Sequence, residues 1–196
     1  REAIKEICYT DLAEPFCAHS ITFLRRLSAQ APEISQGVSA ATDTSHDQGA
    51  GDQGMTFGFA TSESVELLPL PIVLAHRITR GLAEARRSGL IPWLRPDGKS
   101  QVSVLYEDHE PKAVTDIVVS TQHAAYIQQD EIRAWVADSL LPRCLGEWYT
   151  SSIRLRVNPA GPFTQGGPSA DCGVTGRKII VDSYGGWGRH GGGAFS

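Results

Sequence analysis

Excess charge of one sign, paired cysteines and long apolar runs are all scarce in this 196-residue chain. Lys and Arg number 18 against 22 Asp and Glu, a net charge of −4. That balance lacks the basic surplus that non-specific nucleic-acid binding needs. No apolar run approaches the roughly 20 residues that span a bilayer, so a membrane partner is not expected either. The opening residues Arg1-Glu2-Ala3-Ile4-Lys5-Glu6 are charged and helix-like, unlike a secretory leader. The four cysteines, Cys8, Cys17, Cys144 and Cys172, form no Cys-x-x-Cys pair and no Cys/His zinc spacing. Reduced thiols and a cytoplasmic location are the expectation, with Cys172 a small filler rather than a nucleophile. Hydrophobic content of 41% and charged content of 20% suit a globular protein of one domain, or one with partial neighbours.

What the chain does have is patterned glycine near its end. Asp171-Cys172-Gly173-Val174-Thr175-Gly176-Arg177-Lys178 runs into Ile179-Ile180-Val181, and Gly185-Gly186-Trp187-Gly188-Arg189-His190-Gly191-Gly192-Gly193-Ala194-Phe195-Ser196 follows. Glycine permits sharp bends and close approach to a ligand. Successive backbone N–H groups freed in this way can cradle phosphate oxygens. Arg177 and Lys178 would supply counter-charge. The interleaved Trp187, Arg189, His190 and Phe195 are not linker composition.

Elsewhere the periodicities read as a mixed α and β chain. Residues 1–7 suggest a short helix, and 16–27 do not decide between strand and helix. Residues 30–48 have the polar, Gly/Ser/Thr-rich composition of a long loop, a mobile one without ligand. Residues 55–60 read as a strand with Phe57 and Phe59 on one face. Residues 71–88 read as a helix with Leu74, Ile78, Leu82 and Ala85 on one stripe. Val102, Val104 and Tyr106 alternate in a strand over 101–106, residues 107–112 turn, and 114–120 form a more buried strand. Asp130 is expected to cap a helix that ends at Pro142. Ile153, Leu155 and Val157 alternate with Arg154 and Arg156 in a last strand. The order is β-α-β-β-α-β, the split βαβ arrangement, an α+β fold with helices over one face of a mixed sheet.

Four blocks in order resemble the methionine adenosyltransferases (S-adenosylmethionine synthetases). They are Gly49-Ala50-Gly51-Asp52-Gln53-Gly54 with the following Met55-Thr56-Phe57-Gly58-Phe59-Ala60, then Trp93-Leu94-Arg95-Pro96-Asp97-Gly98-Lys99-Ser100-Gln101, then Ser120-Thr121-Gln122-His123, and the Gly-rich end itself. The similarity covers nearly the whole chain. It implies three repeated split βαβ domains in the full protein. Residues 1–29 would end the first, with a strand in the 16–27 stretch. Residues 30–48 would be the active-site loop, 49–163 the central domain, and 164–196 the start of the last, with a strand over 178–182. The family carries a His-Pro-Asp-Lys stretch before the part that matches, and further Lys and Asp residues after it. The alternative left open is therefore a non-catalytic fragment or paralogue that binds nucleotide or docks to a complete subunit.

The resemblance implies formation of S-adenosylmethionine from ATP and L-methionine, with Mg²⁺ and K⁺. It also implies active sites between subunits of a homodimer or homotetramer. Lys99, Arg177 and Lys178 would act on the triphosphate. Asp97, Gly98, Ala160, Gly161, Pro162, Phe163, Asp171 and Ala194 would complete the ATP site, with Phe163 stacking on adenine. Gln30, Asp52 and Asp171 would meet methionine. Pro162 stands where the family commonly has an Arg, and Ala31 where it usually has Ser after the glutamine. By composition alone, Asp97-Gly98 is an ordinary turn with a solvated lysine after it. His123 and His190 read as packed, hydrogen-bonded histidines. The resemblance leaves Asp52 close either to the methionine amino group or to a cation, and no residue of this chain stands out as a ligand for K⁺.

Overall fold

The computed structural model describes residues 1–33, 35, 56–173 and 176–192. Its centre is α2 (Leu70–Arg87), preceded by the short α1 (Glu2–Glu6). Leu70, Leu74, Ile78 and Leu82 recur every fourth residue and are all buried, which is the expected stripe. Pro71 sits in the first turn, where its missing N–H costs nothing. The residue before the helix is Pro69, which has no capping side chain. Glu63 does that work from a distance. Its Oε2 accepts the Leu70 N–H at 3.0 Å, and its Oε1 accepts the Thr61 hydroxyl at 3.1 Å. A carboxylate is favourable at the positive end of a helix.

Two long strands, β1 (Leu94–Glu107) and β2 (Glu110–His123), pair antiparallel. Asp108 and His109 join them, both in the left-handed region at φ 50° and 67°. Two positive φ values suit a tight turn between twisted strands. The short β3 (Arg154–Val157) lies parallel to β2, giving the mixed order β1-β2-β3. Ile117 and Val119 of β2 share one apolar cluster with Leu74, Ile78 and Leu82 of α2. Ile132, Val136, Leu140, Leu141 and Leu145 of the second helical stretch join the same cluster. Helices therefore cover one face of a mixed sheet, as expected for an α+β fold. The cysteines are unpaired thiols.

Several expectations change. The second helical stretch is capped at Gln128, whose N–H meets Glu131 Oε1 at 3.4 Å, rather than at Asp130. It also continues past Pro142. After α3 (Gln129–Trp135) comes a π turn over Val136–Leu140, then α4 (Leu141–Leu145) with Pro142 in its first turn. The wide turn starts a new helical register, so the proline falls where no donor is needed. β1 begins seven residues earlier than its alternation suggested. Its pairing is irregular between Leu94 and Gly98, where Pro96 has no N–H to give the ladder. Residues 56–60 form no strand. Phe59 instead packs on Tyr184 and Trp187 at ring separations of 6.1 and 6.3 Å. Residues 178–182 are helical turns, with the Asp182 N–H bonded to the Lys178 carbonyl at 2.9 Å, not a strand. Residues 16–27 are irregular, with Phe23, Leu24 and Leu27 exposed.

Gly81 marks where α2 meets α4. A Cβ there would lie 2.6 Å from Cys144 Sγ and 2.9 Å from Leu140 Cδ1. Alanine would gain about 1 kcal/mol of helix propensity. Overpacking typically costs about 1–3 kcal/mol and should win. Gly81→Ala is expected to lower the denaturation midpoint, and a raised midpoint would show that this contact yields freely.

A second expectation concerns Tyr106, whose hydroxyl donates to Glu63 Oε2 at 2.5 Å. Burial first, then the Glu63 bond and charge, raise its pKa well above the ordinary tyrosine value. Above pH ~10 an unfolded tyrosine loses its proton while Tyr106 keeps it, so the folded state binds more protons and stability falls with pH. The contribution is complete below that value and fades as the pH rises. Tyr106→Phe should flatten this alkaline loss and cost about 1.5 kcal/mol at neutral pH, read from denaturation midpoints between pH 7 and 11.

Candidate functional site

Strand alternation decides where Lys99 points. A Cβ on Gly98 would meet Leu82 of α2 at 3.3 Å, and Ser100 Oγ donates to Ala75 O of the same helix at 2.7 Å. Lys99, between them, projects from the opposite face, where it is exposed. Residues 97–99 are therefore not a free loop, as composition suggested, but part of β1 paired through Gly98 and Lys99 to Thr121 and Ser120. Asp116 and Arg154 share this open face, joined by two 2.8 Å contacts. The pair lowers the Asp116 pKa and raises that of Arg154, chiefly through the hydrogen bond between them.

Asp97 is bonded to protein. Its Oδ2 accepts the Gly167 N–H at 2.8 Å, and its own N–H donates to Gln122 Oε1 at 3.3 Å. Gln122 is fully buried, and its Nε2 donates to Thr164 O at 3.2 Å and Glu14 Oε2 at 3.4 Å. Gly166 fits because it has no side chain: a Cβ would lie 2.9 Å from both Asp97 Cβ and Gln122 Cδ. Arg95 closes the group, pairing with Asp11 at 2.9 Å and Glu14 at 3.2 Å. Tyr9 packs on Gly167, and its pKa is raised by burial first and then by Asp97.

The next residue holds the neighbouring loop. His123 is 2% exposed. Its backbone N–H donates to Phe163 O at 2.9 Å, and its Nε2 lies 3.0 Å from the Phe163 N–H. A backbone N–H can only donate, so Nε2 accepts and the ring proton sits on Nδ1, facing Ala124 O at 2.9 Å. Gln129 Nε2 also reaches His123 Nε2 at 2.9 Å, while Gln129 Oε1 accepts from Asn158 Nδ2 at 3.2 Å. Asn158 Oδ1 accepts the Thr121 N–H at 2.9 Å. A turn from Asn158 to Gly161, closed by a 2.9 Å backbone bond, then presents Ala160, Gly161, Pro162 and Phe163.

The remaining expected residues lie apart. Asp171 is exposed, and Gln30 is exposed at the end of the irregular N-terminal segment. Arg177 and Lys178 are exposed and border a cleft of about 370 Å³ with Ile72, Ile179, Ile180, Val181 and Gly185. They flank turns rather than the expected strand, and Lys99 is not among the residues bordering that cleft. Asp52, Ala194 and most of residues 30–48 lie outside the described residues. Among the described residues no group of three or more His, Cys, Asp or Glu could hold a metal ion. No described helix is long and apolar enough to cross a membrane.

Composition and spacing missed Glu14 and Asn158 altogether. Arg95 and Gln122 stood in motifs, but only as markers of resemblance, whereas His123 is the packed, hydrogen-bonded histidine that the sequence suggested. The polar run Ser120-Thr121-Gln122-His123, following the apolar Ile117-Val118-Val119 directly, was the available signal.

These features define an α+β domain whose polar loops gather at one end of a three-stranded mixed sheet. The chain belongs to the S-adenosylmethionine synthetase family. Residues 47–163 match the model of its central domain, and residues 165–196 match that of its C-terminal domain. Proteins named S-adenosylmethionine synthase align along the whole chain. That of Desulfosudis oleivorans is 47% identical over 197 residues, with 51% of its own length covered. That of Sorangium cellulosum is 48% identical with 47% covered, and that of Wolinella succinogenes 51% identical with 50% covered. The chain thus spans about half the length of the curated relatives it matches.

The hydrogen bonds make Asp97 a test of this loop architecture. Asp97→Ala leaves the Gly167 N–H without its carboxylate, and losing a charged acceptor costs about 1.5–3 kcal/mol. A melting temperature lowered by several degrees, with faster amide exchange at Gly167, is the expected result. An unchanged Gly167 exchange rate would remove the contact from the account.

Proposed function

We propose that this chain supplies the central part of an enzyme that forms S-adenosylmethionine from ATP and L-methionine, releasing phosphate and diphosphate. The observation that carries the reading is the consecutive match to the central and C-terminal domain models of the family. The exposed Lys99 supports it, beside an Asp97 already spent on the backbone.

The chemistry explains which residues matter. A thioether sulfur is nucleophilic without deprotonation, so attack on the ribose C5′ of ATP needs no general base. The barrier lies in charge gathering on the departing triphosphate, which preorganised cations and donors stabilise. Lys99, Arg177 and Lys178 are assigned to that charge. Phe163 would stack on the adenine, with Ala160, Gly161 and Pro162 shaping the turn beside it. Asp171 would accept hydrogen bonds from ribose or from the methionine amino group. Gln30 and Asp52 would complete the methionine side, and Asp97, Gly98 and Ala194 the nucleotide side. Alignment of sulfur and C5′ accounts for much of the remaining rate.

Mg²⁺ and K⁺ belong to this reading, but no described residue is assigned to either, and no step here is routed through them. Active sites between subunits, in a dimer or tetramer, belong to it as well, as does a cytoplasmic location.

The test uses the full-length protein with ATP, methionine and both cations. Lys99→Met should lower kcat/KM by about 10²–10³-fold. Lys99 is exposed and in no ion pair among the described residues, so the melting temperature should stay within about a degree. Turnover within a few-fold of the parent would remove Lys99 from the triphosphate site. Absence of S-adenosylmethionine from the parent itself would overturn the whole reading.

A further inference from the structure

We propose that Gln122 and His123 are positioning residues that set the conformation of the nucleotide loop over residues 160–167, resting on the assignment of Phe163 to the adenine. Gln122 alternates onto the side of the sheet that carries Lys99, where Glu14 and Thr164 cover it, and His123 onto the helix-covered side. Gln122 is 0% exposed and His123 2%, and all their polar contacts are inside the protein. Two adjacent buried polar side chains end a strand whose inward residues are Ile117 and Val119.

The donor and acceptor identities fix their orientations. The Asp97 N–H can only donate and Thr164 O can only accept, so Gln122 must turn Oε1 to the first and Nε2 to the second. Gln122 thereby ties β1 to residue 164. His123 takes both backbone groups of Phe163, its carbonyl through the His123 N–H and its N–H through the ring. Phe163 is therefore clamped on both sides, which fixes the direction in which its Cα–Cβ bond leaves the backbone. The Gly167 N–H bond to Asp97 fixes the far end. A stacking ring displaced by about 1 Å would no longer present the adenine to a nucleophile correctly. Backbone held by buried side chains achieves the required precision without a direct ligand contact.

The two readouts separate positioning from general stability. Amide exchange of the full-length protein is measured first, without ligand. His123→Leu and Gln122→Met should accelerate exchange at Phe163 and Gly167 at least tenfold, while the amides of α2 keep their protection. His123→Gln, whose side-chain oxygen can again accept the Phe163 N–H, should recover most of the protection at Phe163. Binding of a non-hydrolysable ATP analogue and of methionine is then titrated separately. The analogue should bind at least tenfold more weakly to the Leu and Met variants, and methionine within twofold of the parent.

Unchanged exchange over residues 160–167 overturns the positioning role. So does a uniform rise in exchange across the domain, or equal losses for both ligands, because a merely structural role would produce them. If the parent binds no ATP analogue while exchange responds as expected, the clamp stands and the nucleotide assignment of the loop falls.

Discussion

Buried polar side chains must find partners, and at the end of β2 that requirement governs everything around it. Thr121, Gln122, His123 and Asn158 are buried there. Each unsatisfied polar group would cost about 1–3 kcal/mol, comparable to a sizeable share of a domain's net stability. The partners of Gln122 and His123 include backbone groups of residues 163 and 164, which regular structure does not occupy. Asn158 reaches back to the Thr121 N–H. Strand end and loop thus satisfy one another's hydrogen bonds. Thr121 Oγ1 is the exception, buried beside Arg86 and Gly98 without a hydrogen-bond partner among the described residues.

The same alternation that creates this layer divides the sheet chemically. One face carries Ile117, Val119, Val102, Val104 and Leu155 towards the helices and is dry. The other carries Lys99, Asp116, Arg154 and Arg156. Arg154 is neutralised by Asp116 in a two-point contact, while Lys99 has no ion pair among the described residues. An unpaired cation on a strand costs little in water but is pre-positioned for an anion. Its placement needs only the small residues on either side. Gly98 and Ser100 lie under α2, so Lys99 must face out.

Much of this could be read from the chain. The stripe of α2, the hairpin, β3 and the mixed sheet all follow from periods of 3.6 and 2. The misreadings share one cause: local pattern cannot see what a segment will pair with. Phe57 and Phe59 alternate like a strand, yet Phe59 is used in a ring cluster. Ile179, Ile180 and Val181 favour a strand, yet their neighbours satisfy their backbone by turns. Pro142 is a stop signal unless a π turn precedes it. The candidate residues were legible through family resemblance, and the clamp was not. Whether Gln122 reaches Thr164 depends on a separation of 42 residues, which no spacing rule encodes.

The placement of Arg177 and Lys178 follows from how their segment is held. Trp187 packs on Tyr106 at 5.3 Å and on Phe59 at 6.3 Å, and Gly185 lies against Ile72. Such ring pairs contribute about 0.5–1.5 kcal/mol each beyond their buried area. The α2 core, by contrast, buries Leu70, Leu74, Ile78 and Leu82, each side chain contributing about 1.5–3 kcal/mol. Segment 176–192 is therefore the weaker attachment. Tyr106 connects the two, since the ring that receives Trp187 also donates to the carboxylate that caps α2.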